Sequence, residues 1–327
     1  MHFLTQQMME QSLQQVYQQM LPTPSYSWPQ INTAVGTEVW VKHENHTPTG
    51  AFKIRGGITF MHWLRQQYPE CRGIVTATRG NHGQSQARAA RALGLAANIV
   101  VPLGNSIEKN QAMSSFGAKL IEYGRDFDEA KVRANTIAQK TGYYLVPPFH
   151  QALVSGVATY AWELFQAVPA IDVVYAPIGC GSGICGLIGV RDLLGLTTEI
   201  VGVVAAKASA AKLSFESGQL AATESADTFA DGLAVRSPIE EAFAIYSNGA
   251  GRIVAVTEAE IASAICLYYR GTHNIAEGAG AAALAAALKE KALIAGKKAA
   301  IILSGGNIDT AVLQSIFAAN QSDYYCA

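Results

Sequence analysis

In "HTPTGAFKIRGG" (46–57) a single lysine, Lys53, follows a Thr-Pro-Thr-Gly turn and precedes Arg55 and two glycines. A lysine amine in a desolvated setting condenses with carbonyl carbons; read alone, Lys53 is equally a surface lysine at a helix start. "TATRGNHGQS" (76–85) sets Asn81 between Gly80 and Gly83. Glycines there free successive backbone N–H groups to face an anion, helped by the helix terminus that follows, which is expected near Gln84. "APIGCGSGICG" (176–186) reads as G-x-G-x-x-G through Gly181, Gly183 and Gly186. A dinucleotide site of that kind also needs a carboxylate about twenty residues on, at the end of the next strand, to hold a ribose. The next strand ends "GVVAA" (202–206) without one, and Glu199 lies at its wrong end. The loop therefore reads as a phosphate cradle rather than a nicotinamide site. "ILSGGNID" (302–309) runs an apolar stretch into the hydroxyl of Ser304.

These stretches need elements to hold them. "TEVWVKHE" (37–44), "GIVTA" (73–77), "ANIVVP" (97–102), "AKLIEY" (118–123) and "YYLVP" (143–147) read as strands. So do "IDVVYAPI" (171–178), "EIVGVVA" (199–205), "GRIVAVT" (251–257) and "KAAIILS" (298–304), with segments of helical period between them. Strands alternating with helices imply βαβ units and parallel sheets, hence an α/β fold. The tight rhythm from 73 to 147 predicts a small domain at 66–147, inserted into a larger one formed by 1–65 and 148–327. A polar helix is expected over about 4–20, a buried one over the alanine-rich run 279–287, and a long irregular functional loop over 223–238. In open parallel sheets ligands bind beyond the carboxyl ends of strands. The four stretches above all fall at such junctions.

The chain has 327 residues, half of them apolar, and a net charge of −1. That suffices for a large core and roughly two domains. Scattered Lys and Arg without a basic run argue against nucleic acid as a partner. The five cysteines (Cys71, Cys180, Cys185, Cys266 and Cys326) are odd in number and lack CxxC spacing, which argues against a disulfide framework or zinc site and for a cytoplasmic setting. The N-terminus is too rich in glutamine for a signal peptide's apolar core, so none is expected there, and no apolar stretch reaches the roughly 20 residues of a membrane span.

One amine, a phosphate-sized glycine loop, an anion-binding loop and a strand-end hydroxyl are the inventory of a pyridoxal phosphate enzyme. "GAFKIRGG", "TRGNHGQS", "GCGSG" and "SGGN", in this order, resemble the fold-type II pyridoxal phosphate family (tryptophan synthase β-like). The branch most resembled is that of the serine/threonine dehydratases and serine racemases. "EKNQAMSSFGAKLIEYGRDFDEA" (108–130), "DGLAV" (231–235) and "EGAGAAALAAAL" (277–288) extend the similarity over about 36–310. The resemblance implies two open, twisted, mostly parallel sheets flanked by helices, with the cofactor in the interdomain cleft, in a homodimer. It implies that Lys53 condenses with the cofactor aldehyde and later shuttles the α-proton. Phe52 would pack beside the ring, Asn81 meet the phenolic oxygen, and Gly179, Cys180, Gly181, Ser182 and Gly183 bind the phosphate. Ser304 would face the pyridine nitrogen, with Glu277 near the ring. Thr78, Arg79, Gly80, Asn81 and His82 would surround the substrate carboxylate, with Gly232 near its amino side.

A neutral hydroxyl at the ring nitrogen makes a shallower electron sink than a carboxylate would. That favours prompt loss of a β-hydroxyl after α-proton removal, giving an enamine that hydrolyses to a 2-oxo acid and ammonia. The expected substrate is a β-hydroxy-L-amino acid: threonine- or serine-like, phenylserine or hydroxyaspartate. Arg55 either balances nearby anionic charge or lies on the surface. Several positions depart from the family pattern. Cys180 and Ser182 interrupt a loop often made of four glycines. Arg79 stands where racemases carry a serine acid/base, which argues against racemisation. "PPFHQALVSGVAT" (147–159) departs from an Ala-Gly-Gln-Gly-Thr pattern. The metal-binding acidic positions of the racemase-like branch fall here at Val204 and Ala210, beside Lys207, so no metal is expected. The family's T-S-G-N-T-G loop of cysteine synthases, the β-replacement alternative, is absent. The remaining alternatives are a nicotinamide dehydrogenase and a catalytically silent binding protein.

Overall fold

The computed structural model describes residues 3–125 and 127–320, so Cys326 lies outside the described residues. The α/β alternation is realised as two sheets. The larger has the order β1-β2-β10-β7-β8-β9: Ser25–Ser27 (β1), Val39–His43 (β2), Ala299–Leu303 (β10), Val173–Pro177 (β7), Glu199–Ala205 (β8) and Arg252–Val256 (β9). All neighbours in it run parallel except β1, which pairs antiparallel with β2 at the edge. The smaller sheet is wholly parallel, in the order β5-β4-β3-β6: Lys119–Glu122 (β5), Ala96–Val101 (β4), Gly73–Ala77 (β3) and Tyr144–Leu145 (β6).

Sequence expectation and structure agree most closely at the buried strands. β3 and β8 span the expected residues, and every residue of β10 is buried, as a strand covered on both faces must be. The edge strand β1 was not expected: three residues of Ser-Tyr-Ser carry no readable alternation. The alanine-rich helix is Gly278–Lys289, buried from Gly278 to Ala287. The stretch 223–238 holds a 3-10 turn at Asp231–Leu233 and is otherwise irregular.

The four strands of the smaller sheet all lie within 66–147 and those of the larger sheet outside it. The compact units divide the chain differently. The first comprises Met1–Gln6, Pro22–His46 and Tyr160–Ala327; the second comprises Gln7–Leu21 and Thr47–Thr159. The second unit thus gains the helix Lys53–Gln67 and the start of the helix Gln151–Ala167. The cause is packing: Ile54, Ile58, Phe60 and Leu64 join Ile74, Ala89, Ile99 and Leu153 in one apolar cluster.

In the first unit Lys42 is fully buried, its Nζ 2.6 Å from Glu163 Oε2 and 2.6 Å from the Thr23 carbonyl. A buried cation of this kind is held only because its donors are met. Among the described residues no helix is long and apolar enough to cross a membrane.

Candidate active site

The second unit carries the amine. β2 ends at His43, and after a turn the chain enters the helix Lys53–Gln67 with Lys53 as its first residue. The half-buried Lys53 ammonium stands 4.7 Å from the centre of the Phe52 ring. The two glycines after Arg55 mark two helix crossings. A Cβ on Gly56 would lie 2.6 Å from the Leu153 carbonyl oxygen, and one on Gly57 2.3 Å from Ser85 Oγ. Gly156 answers from the other side, where a Cβ would lie 2.1 Å from Thr59 Oγ1. The Lys53 helix is therefore wedged between two others at backbone distance, which fixes the place of its first turn. Arg55 is fully buried and donates from Nη1 to Thr159 Oγ1 at 2.9 Å, so the surface alternative is excluded.

The asparagine loop follows β3. Its helix is Asn81–Ala92, so it begins at Asn81 rather than near Gln84, with Gly80 as N-cap and no side-chain cap. The buried Thr78 hydroxyl instead accepts from the Gly80 N–H at 3.1 Å, shaping the turn that precedes it. Gly80 and Gly83 are tightly packed: Cβ atoms there would lie 3.0 Å from Lys109 Cδ and 2.4 Å from Met113 Sδ. Arg79 is exposed. His82 Nε2 is shut off from solvent without a hydrogen-bond partner among the described residues. Burial, with the Lys53 charge adding to it, drives the His82 pKa down to about 3. The ring is neutral at any ordinary pH.

The first unit carries the glycine loop. β7 ends at Pro177, and the chain passes through Gly179 and Cys180, both half-buried, into the helix Ser182–Leu193. Gly181 caps this helix in the left-handed region (φ 95°) with no side-chain cap, leaving the cap position to an outside acceptor. A Cβ at Gly181 would lie 2.6 Å from Ala242 Cβ, and one at Gly179 2.1 Å from the Gly232 carbonyl oxygen. Buried Tyr160 donates to the Gly183 carbonyl at 2.8 Å and pins the first turn. Ser182 is buried.

Ser304 follows the last residue of β10 and is buried, as is Glu277, the N-cap of the alanine-rich helix. The Glu277 N–H donates to the Gly305 carbonyl at 3.0 Å, and a Cβ at Gly280 would lie 2.3 Å from that same oxygen. Gly232 is exposed, and a Cβ on it would lie 2.8 Å from Ala279 Cβ. Within this unit the structure thus stacks the glycine loop, Gly232, the Glu277 segment and Ser304 backbone on backbone. Val204 and Ala210 are buried and offer no side-chain oxygen, while Lys207 sits 3.9 Å from Asp227 with both exposed. No cluster of three or more His, Cys, Asp or Glu suited to a metal occurs among the described residues.

Two groups of residues were not singled out by sequence. Ser85, fully buried, donates to the Lys53 carbonyl at 2.6 Å. His43 accepts from Trp28 Nε1 at 3.0 Å and meets Asn45 Oδ1 at 3.3 Å, while Asn45 and His46 both reach Asn274, two residues before Ala276-Glu277. The only sequence signal for either is the second glycine of "KIRGG", which makes room for Ser85.

Residues 16–305 match the family described as pyridoxal-phosphate dependent enzymes. An L-threonine ammonia-lyase of Thermotoga maritima is 35% identical over 287 residues, covering 88% of this chain and 71% of that one. An L-threo-3-hydroxyaspartate ammonia-lyase of Saccharomyces cerevisiae is 30% identical, over 88% of each chain. Among solved structures, the processed form of threonine deaminase isoform 2 from Solanum lycopersicum superposes with a TM-score of 0.88 at 30% identity, covering 96% of this chain and 93% of that one.

Proposed function

The chain belongs to the family of pyridoxal-phosphate dependent enzymes, and from that premise we propose that it is a hydroxy amino acid ammonia-lyase. It converts a β-hydroxy-L-amino acid to a 2-oxo acid and ammonia; the water lost in elimination is regained when the enamine product hydrolyses. The observation that carries this reading is the placement of Lys53 on the first turn of its helix, beside a neutral His82.

The residues present suit the cofactor. The loop from Gly179 to Gly183 offers backbone N–H groups at a helix start with no side-chain cap, and a Cβ at Gly179 or Gly181 would collide with its neighbours. That is the donor set a phosphate ester needs. When bound, pyridoxal phosphate supplies an aldehyde that joins amino groups and a ring that withdraws electrons from the bonds at Cα.

The chain's own groups do the rest. Lys53 would hold the cofactor through its amine and, once freed, take the proton from the substrate Cα as the β-hydroxyl leaves with a proton as water. Phe52 would pack beside the ring, Asn81 would donate to its phenolic oxygen, and Glu277 would lie near it. Ser304 offers the ring nitrogen a neutral hydroxyl, which does not hold a proton there as a carboxylate would. Thr78, Gly80, Asn81 and His82 receive the substrate carboxylate, with Arg79 at the rim and Gly232 toward the amino group. Because His82 is neutral, that carboxylate is met by hydroxyl and backbone N–H dipoles in addition to any contact with Arg79.

The yeast relative's substrate and the exposed Arg79 together support hydroxyaspartate beside threonine as a substrate. The cysteine usage supports a cytoplasmic enzyme, and a homodimer is the expected assembly. Two experiments test the reading. A panel of serine, threonine, phenylserine and hydroxyaspartate, assayed for 2-oxo acid release, should give turnover on at least one. Lys53→Ala should lose both turnover and the visible absorbance of lysine-bound cofactor; a retained band, reducible onto another lysine, would refute the assignment.

A further inference from the structure

Ser85 lies one turn into the Asn81 helix and is fully buried. A serine inside a helix ordinarily turns its hydroxyl back to the carbonyl four residues earlier, or to solvent. Ser85 instead reaches across to the neighbouring helix and donates to the carbonyl of Lys53 at 2.6 Å. That acceptor belongs to the first residue of a helix whose N-cap, Phe52, has helical backbone angles (φ −58°, ψ −21°) and makes no side-chain cap bond. First turns without such caps are where helices open most readily. The bond also demands close approach, since a Cβ on Gly57 would lie 2.3 Å from Ser85 Oγ and 2.9 Å from the Ser85 carbonyl oxygen.

We propose that Ser85 is a positioning residue for Lys53. Its hydroxyl fixes the first turn of the Lys53 helix, so that the amine swings from a backbone that stays in place. Because Ser85 sits one turn after Asn81 on a single helix, the same bond holds Lys53 and Asn81 in register. The inference rests on Lys53 being the reactive amine.

Thr59 supplies the control. It lies on the same helix, is buried, and donates across to the Ala152 carbonyl at 2.6 Å, so it is an equivalent interhelical anchor away from the amine. The test compares Ser85→Ala, Gly57→Ala (which displaces the Ser85 hydroxyl) and Thr59→Val. In the cofactor-free chain, hydrogen exchange is read as protection relative to the intrinsic rate at the amide of position 57, whose helical acceptor is the Lys53 carbonyl. Exchange should rise about tenfold in the two variants that disturb Ser85, the scale of one hydrogen bond, and should not rise in Thr59→Val. In the holoenzyme kcat should fall about tenfold for Ser85→Ala with KM unchanged, while Thr59→Val keeps kcat. Equal exchange and equal kcat in Ser85→Ala and Thr59→Val would overturn the proposal. Lys53→Ala, run beside them, separates the two failures: if it keeps the visible band, the reading of Lys53 falls; if it loses the band, only the role of Ser85 is at stake.

Discussion

Acid should destabilise this protein through His43, and the structure sets the size of the effect. The residue ends β2, fully buried, with Nε2 accepting from the Trp28 indole N–H and Nδ1 facing Asn45 Oδ1. Its ring stacks on His46 at 5.0 Å, and Lys42 is the preceding residue. Burial first, then the His46 charge, lower its pKa from 6.5 to about 4; the Asn45 hydrogen bond opposes them, and the Lys42 charge adds the smallest push downward. Between those values the unfolded chain binds a proton that the folded chain refuses. Stability is therefore intact above pH 6.5, falls as pH drops toward about 4, and levels off below it. A tenfold change in proton affinity is worth about 1.4 kcal/mol, so the full loss is about 3 kcal/mol. His43→Gln keeps an acceptor for Trp28 and removes the titration. Urea unfolding of both proteins from pH 8 to 4 isolates His43, because His62, His82 and His150, whose pKa values are also lowered, contribute equally to each. The wild type should lose about 3 kcal/mol more than the variant over that range. Parallel curves would refute the assignment of His43 as a ring held neutral by its surroundings.

Three further outcomes are expected. Gly179→Ala would set a Cβ 2.1 Å from the Gly232 carbonyl oxygen; overpacking of about 1–3 kcal/mol should weaken cofactor binding about five- to a hundredfold, read by titrating the cofactor-free enzyme. Arg79→Ser should reduce activity on hydroxyaspartate and phenylserine more than on threonine, because a guanidinium pairs with anions and stacks on rings; equal losses in the steady-state constants on all three would leave it no part in selection. Exhaustive chelation should leave turnover and thermal midpoint unchanged, since Val204 and Ala210 supply none of the carboxylate oxygens that hard divalent cations need; a loss restored by magnesium would count against this.

The sequence was most legible where one residue's role depends on its own neighbours in the chain. β3 and β8 are short, largely apolar runs between segments of helical period, and their limits could be read directly. Lys53, Asn81, the glycine loop and Ser304 stood out as candidates because each comes after a stretch read as a strand, and strand ends in parallel sheets are where ligands bind. Arg55 was ambiguous because a charged residue in a helical period usually faces water; its burial follows from two helices closing over it at Gly56, Gly57 and Gly156. The helix start at Asn81 was misplaced by three residues because Gly83 reads as a helix breaker, whereas its missing side chain makes room for Met113 and Thr78. Ser85 and His43 were invisible for a related reason. Their partners, the Lys53 carbonyl and the Trp28 indole, are chosen by the crossing of elements, which no local pattern records.

In the first unit three close contacts around the glycine loop and Ser304 are made with backbone carbonyls. Gly179 abuts the Gly232 carbonyl, Gly280 the Gly305 carbonyl and Gly306 the Ile275 carbonyl, with Cβ clearances of 2.1, 2.3 and 2.7 Å. The glycine loop, the Glu277 segment and the strand end bearing Ser304 are thus fitted to one another without depending on what the Ser304 side chain is. The physical consequence is a division of labour: glycines fix where the strand end lies, and, on the proposed reading, the side chain at 304 would set what it offers a ring nitrogen. Ser304→Asp should then leave cofactor affinity within a few-fold while altering the course of the reaction, since a carboxylate there holds a proton that a hydroxyl does not. Gly280→Ala should do the reverse, displacing the Gly305 carbonyl and weakening the cofactor while leaving the residue at 304 chemically untouched. The two variants share one loop but act on different quantities, so cofactor titration and product analysis with the same substrate tell them apart. If Ser304→Asp lost the cofactor as Gly280→Ala is expected to, the side chain would be part of the scaffold and this separation would fail.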